Sequence, residues 1–388
     1  MSGAMKRRPR FLHRDRASFP ALLVVAAFLV AADRGVFGDA VRLACSDVRN
    51  DGPNVADSDQ LTRDYYRGLL GEGVVMRAGV LRRVANNLLF GAGEAEVDDE
   101  DFFESAISRA SDGFAFRELV PDTAIDHRGV RVATNEFAMR DDPCTVERTP
   151  GVPRIALVGA SNDMGWGVAH EETYEARLET LLPAALGREG VQRVEVLNFA
   201  VPGHTLLEHL WQVEESVARF APDLVLVSVT LPDLRSRMLE RLSTRVRAGR
   251  DLHFDFVAEL VARAGAGRGD RAVDLWRKLE PFTDAIVRGA MEHLATIARA
   301  RGLPVALLVL KLDPGTSVHP KMRTAAAAAE RAGVPAIEVF DALAEFSADE
   351  SYVDTRADHH PSSAAHAALA AEIARDVAAD PRLAALLR

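Results

Sequence analysis

Two short stretches hold the residue types that acyl-transfer chemistry needs. In Gly159-Ala160-Ser161-Asn162-Asp163 a serine stands just past the end of an apolar run. A serine at the start of a helical turn after a strand exposes its hydroxyl, and its own N–H can face a developing oxyanion. The competing role for such a serine is to cap the helix. Near the other end of the chain, Asp358-His359-His360-Pro361 places a carboxylate and an imidazole one residue apart. Both can point the same way from extended backbone, and a carboxylate that orients an imidazole makes it a general base. Adjacent histidines also suggest a metal, but no third ligand stands at helical or hairpin spacing, so no metal and no cofactor is expected. The turn after Val158 is not a phosphate loop, because no Gly-Lys-Ser/Thr follows. It is neither a dinucleotide G-x-G-x-x-G nor a G-x-S-x-G elbow, since Asp163 takes the place of the last glycine.

Groups so far apart in sequence meet only in a layered fold, and from residue 154 the pattern supplies one. Residues 154–159, 194–198, 223–229, 304–310 and 336–340 are short apolar runs of the kind that form buried parallel strands. Helical stretches lie between them at 171–186, 206–220, 281–301 and 321–332, and a last one at 362–378 opens just after Pro361. Strands alternating with helices predict an α/β fold whose parallel sheet is covered on both faces. Ligands then bind beyond the carboxyl ends of the strands. That edge gathers the turns after Gly159, Asn198 and Val229 and the loop before the last helix. The long stretch at about 235–279 reads as a helical insertion forming a lid or substrate wall. His366 falls on the last helix in a packing or surface role.

The rest of the chain bounds the setting. Its 388 residues carry a net charge of −10, which excludes a general nucleic-acid binder. Two cysteines, Cys45 and Cys144, are too few for a disulfide scaffold, although an oxidising compartment would let them pair. Lys6, Arg7, Arg8, Arg10, Arg14 and Arg16 precede the apolar run at 19–32, the layout of a signal peptide or signal anchor over residues 1–40. The basic end stays in the cytoplasm. The protein is therefore expected to be exported, either tethered to the membrane by the uncleaved segment and facing the periplasm or exterior, or secreted after cleavage. Residues 41–150 read as an N-terminal extension with helices near 61–70 and 74–90, an acidic run at 94–104 and a few short strands. The last domain spans 151–388.

With these motifs in place, the sequence resembles the SGNH (GDSL-type) hydrolase superfamily over residues about 113–378. The first block of this branch usually reads GDSFTFGWGV, and here Gly159-Ala-Ser161-Asn-Asp-Met-Gly165-Trp-Gly167-Val168 stands in its place. Asn198-Phe-Ala-Val-Pro-Gly203 is similar to the second block, and Asp358-His-His360-Pro361 to the block carrying acid and base. Thr134-Asn135-Glu-Phe-Ala-Met-Arg140-Asp141 is similar to the N-x-x-G-x-R-D stretch that often precedes such domains. The resemblance implies a three-layer α/β/α sandwich with a five-stranded parallel sheet, flavodoxin-like in order. It implies Ser161 as nucleophile, His360 as base, Asp358 as its orienter, and the N–H groups of Ser161 and Gly203 as oxyanion hole. The expected reaction is attack on an ester, with an O-acetylated or other acylated glycan as a candidate substrate, through an acyl-enzyme. Two positions depart from the pattern. Ala160 replaces the block-one Asp, and Pro232 falls where the block-three Asn would donate to the oxyanion. Pro232 motivates the alternative of a degenerate domain that binds glycan or serves an envelope polysaccharide acetylation or secretion complex.

Overall fold

The computed structural model describes residues 102–103, 105–187, 191–354 and 358–387. The basic and apolar N-terminal segments, Cys45, the helices expected near 61–70 and 74–90, and most of the acidic run lie outside the described residues. Among the described residues no helix is long and apolar enough to cross a membrane.

All five expected strands form: β5 (Arg154–Val158), β6 (Glu195–Asn198), β7 (Leu224–Val229), β8 (Val305–Leu310) and β9 (Ala336–Val339). They pair in parallel in the order β6-β5-β7-β8-β9. The inner strands β5, β7 and β8 are largely apolar on both faces because each face is covered, the edge strands β6 and β9 carry Glu195 and Glu338, and alternation divides the apolar side chains between two cores. Ile155, Leu157, Leu224 and Leu226 pack under helices Tyr174–Leu186 and Ser363–Ala379, with Leu178, Leu182, Leu369 and Ile373. Ala156, Val158, Val225 and Val227 face the other way, against Leu206, Leu210 and Val213 of helix Leu206–Glu215 and against Leu294 of helix Thr283–Arg301. The fold is a doubly wound three-layer α/β/α sandwich.

From β5 the chain moves one way to β6, then crosses back to β7 on the other side. This reversal opens a crevice beyond the carboxyl ends of β5 and β7, where open α/β sheets place their ligands. Ser161 and Pro232 both follow those ends. The expected insertion is helical, with helices Ser236–Ala248, Asp255–Arg263 and Ala272–Leu279. Ahead of the sheet, two antiparallel hairpins form: β1 (Ser108–Ala110) with β2 (Arg117–Leu119), and β3 (Ala124–His127) with β4 (Val130–Ala133). After β9, strands β10 (Tyr352–Asp354) and β11 (Asp358–Pro361) form a third hairpin leading into the last long helix.

Candidate active site

The turn after β5 is built around two side chains. Ser161 opens a one-turn helix, Ser161–Met164, whose N-cap is Ala160. The serine is therefore not the helix cap, and its hydroxyl is left for other work. Asp163 folds back to accept from the Ala160 N–H at 2.7 Å and from the Tyr174 hydroxyl at 2.6 Å. Burial raises its carboxyl to about 6, against the pull of its hydrogen bonds. It thereby anchors the Ala160 N–H from three residues further on. The carboxylate lies against the Gly159 α-carbon, where an added Cβ would meet Asp163 Oδ2 at 2.2 Å. That close approach is the reason for glycine at 159.

Arg140 holds the other side of this turn. Its guanidinium, 1% exposed, donates to the carbonyls of Met164 (2.9 Å), Gly165 and Val168 (2.6 Å). Burial lowers it to about 10, with Glu175 and Glu171 acting the other way. Replacement by leucine would leave three carbonyls without this donor, at about 1–3 kcal/mol for each buried one. Arg140→Leu is expected to cost roughly 3 kcal/mol or more of folding stability by the same accounting, read as a lower urea midpoint at unchanged slope.

The second loop is tied to the first. Phe199 N–H donates to Leu157 O at 2.8 Å and Val201 N–H to Gly159 O at 3.1 Å. Asn198 bridges them, its Nδ2 donating to Asp163 O at 3.1 Å while its Oδ1 accepts from the Ala200 N–H. Gly203, at φ +81°, turns this loop, and its carbonyl accepts from Arg241 at 2.8 and 3.2 Å. Arg237, Arg241 and Arg245 recur every four residues on one buried face of the first insertion helix. They reach Asp233, Gly203 and Glu208 respectively. The insertion is thus bonded directly to the Gly203 loop.

Strand β11 brings the acid and base. Asp358 and His360 leave it on one side, while His359 leaves on the other and stacks on Tyr352 at 4.7 Å. His360 Nε2 lies 2.8 Å from Ser161 Oγ, and its Nδ1 lies 2.5 Å from Asp358 Oδ1. Ser161, His360 and Asp358 are 1%, 7% and 5% exposed. Burial alone would raise the Asp358 carboxyl, but the His360 ring and N–H and the Arg128 guanidinium hold it well below the usual carboxylate range. An ionised Asp358 can only accept, so Nδ1 carries the ring proton and Nε2 is left to receive the serine's. The Trp166 ring stacks on His360 at 5.2 Å, and its Nε1 donates to Asp358 Oδ2 at 3.1 Å. Phe102 and His127, each with its ring 4.7 Å from Trp166, wall the far side.

Pro232 sits in the first turn of helix Leu231–Leu234, at the carboxyl edge beyond β7. Thr230 cannot take over as oxyanion donor, because its hydroxyl donates to Asp233 Oδ2 at 2.6 Å. His366 has a packing role: its Nδ1 accepts from the Tyr174 N–H at 3.0 Å, and burial lowers the ring to about 3. Cys144 is half-buried beside Asn135 Nδ2 at 3.7 Å. Among the described residues Asp141, His170 and Glu175 bring ligand-type atoms within 4.8 Å of one another, which is where a cation would find donors. Burial pushes the Asp141 carboxyl up to about 8 and the Glu175 carboxyl well above the usual range. The sequence reading named Ser161, His360 and Asp358. It missed Arg128, Trp166 and the anchoring part of Asp163, and assigned no task to Arg140.

No family model and no curated protein matches the chain. Solved structures that resemble it include TesA, at 17% identity over 57% of this chain and 95% of that one, with a TM-score of 0.36. The acetylxylan esterase Axe2 from Geobacillus stearothermophilus is 16% identical over 58% and 93%, with a TM-score of 0.35. The psychrotrophic esterase EstA from Pseudoalteromonas sp. is 13% identical over 58% and 96%, with a TM-score of 0.34. What the site can do follows from its own side chains.

Proposed function

We propose that this chain is an SGNH-type serine esterase. The observation that carries the reading is the unbroken run of contacts from Ser161 Oγ through His360 to Asp358 at 2.8 and 2.5 Å, at the carboxyl edge of the sheet. In the proposed reaction His360 Nε2 takes the serine proton as Oγ attacks the ester carbonyl. The resulting oxyanion is bound by the N–H groups of Ser161 and Gly203. The imidazolium then protonates the departing alcohol, leaving an acyl-serine. Water, deprotonated by the same ring, attacks the acyl group and releases the acid. Near-complete burial of Ser161 and His360 supports a small acyl group such as acetyl, on an acylated glycan or a small ester. The reading includes export, which rests on residues 6–32 of the sequence alone.

A fluorophosphonate probe tests the nucleophile. It should label the folded protein at one site, mapped by mass spectrometry to Ser161, and labelling should disappear in Ser161→Ala. A folded wild-type protein that neither takes the label nor turns over p-nitrophenyl acetate would sink the esterase reading.

A further inference from the structure

The hairpin ahead of the sheet reaches into this site. Its turn, between β3 and β4, carries Arg128, whose Nη1 donates to Asp358 Oδ2 across 230 positions of sequence. The side chains are 22% and 4% exposed, so the ion pair is largely shielded from water. Trp166 Nε1 shares the same oxygen, while Oδ1 accepts from the ring and the backbone N–H of His360. Two donors on each oxygen leave the carboxylate no freedom to rotate.

The backbone adds an independent observation. Arg128 has φ +54° and Gly129 φ +75°. Two left-handed residues in a two-residue hairpin loop favour Asn-Gly or Gly-Gly. An arginine there is held in a strained conformation that asparagine or glycine would adopt more readily, and such strain persists where the side chain is used. The turn is fixed from beside as well, by His127 against Phe102 (5.5 Å) and Trp166 (4.7 Å).

We propose that Arg128 is a positioning residue for the triad, clamping the outer oxygen of Asp358 so that the inner oxygen stays on His360. The inference rests on the esterase reading for its consequence in turnover, but not for the clamp itself. A second consequence is electrostatic. The charged groups facing the His360 ring are Asp358 on its own strand and Arg128 from the hairpin. Ser161 and Trp166 are uncharged. His127 stands behind Trp166, and His366 on the following helix is kept neutral by burial. Arg128 therefore offsets part of the Asp358 charge and helps keep that carboxyl ionised. Its removal should leave His360 a worse-placed base.

Arg128→Gly keeps the turn itself, because glycine suits the left-handed conformation, and thermal melts read the stability lost with the ion pair separately from turnover. Turnover of p-nitrophenyl acetate should fall roughly tenfold to a hundredfold in kcat, with KM unchanged, as a small misplacement of a catalytic group costs about that much. Added guanidinium should restore part of the loss, and Arg128→Lys should keep more activity than Arg128→Gly. An unchanged rate, or a loss that neither guanidinium nor lysine relieves, would overturn the clamp. NMR of the His360 ring needs no turnover: loss or marked displacement of the Nδ1–H resonance in Arg128→Gly supports the clamp even if no ester is cleaved, and an unchanged resonance rejects it. Absent turnover in wild type together with a displaced Nδ1–H resonance in Arg128→Gly would reject the esterase reading alone.

Discussion

His360→Ala should lower ester turnover by roughly 10⁴-fold, the upper range for loss of a positioned general base, while His359→Ala should leave it within the same order of magnitude. The two histidines are neighbours in sequence but leave β11 on opposite sides. His360 meets Ser161 Oγ at 2.8 Å, and His359 lies flat on Tyr352, whose hydroxyl donates to Asp313 at 3.1 Å. Losing that stack is worth about 0.5–1.5 kcal/mol beyond area burial, a stability effect rather than a catalytic one. The measurement is kcat for p-nitrophenyl acetate in both variants, alongside thermal melts. A loss confined to His359→Ala would mean the base sits one residue away and that strand β11 is out of register by one. Because a strand alternates with period two, such a slip would also turn Asp358 away from the site.

The architecture was legible because its inner strands, such as Leu224–Val229 and Val305–Leu310, are short runs buried on both faces and mostly apolar, and the edge strands keep enough of that pattern around Glu195 and Glu338. Ser161, Asp358 and His360 were legible because each stands beside such an element and its chemistry is local to a few residues. The helix expected at 206–220 is one α-helix to Glu215 followed by a 3₁₀ turn over Val217–Phe220, ending at Ala221 in a left-handed conformation ahead of Pro222. Periodicity does not distinguish the two kinds of turn. Arg128 was invisible for a different reason. Its partner is 230 residues away, and neither residue's neighbours carry a pattern that depends on the other. The available signal was an arginine beside Gly129 in a turn that favours asparagine or glycine. Asp163 was read as the residue that breaks a G-x-S-x-G elbow; in the fold it holds the Ala160 N–H. A side chain three positions along a tight turn can reach back to that N–H, a contact visible only in three dimensions.

Asp358→Asn should lower turnover by about 10⁴-fold with the fold intact, through the wrong ring tautomer rather than through lost contact. The geometry decides which way the amide points. Oδ2 receives the charged Arg128 guanidinium and the Trp166 N–H, neither of which can accept. The amide oxygen must therefore take that position, and the NH₂ group is forced toward His360. There it meets the His360 backbone N–H, 3.0 Å from the atom it replaces, and the ring Nδ1 at 2.5 Å. Two donors cannot face each other, so the ring proton moves from Nδ1 to Nε2. His360 then presents an N–H to the Ser161 hydroxyl and can no longer receive its proton. Removing Arg128 as well loosens the demand on that oxygen position and lets the amide turn over. Asp358→Asn combined with Arg128→Gly should accordingly lose less than the product of the two single losses. Rates for the two single variants and the double variant measure this coupling. Independent, multiplying losses would show that Arg128 does not set the orientation of the group at 358.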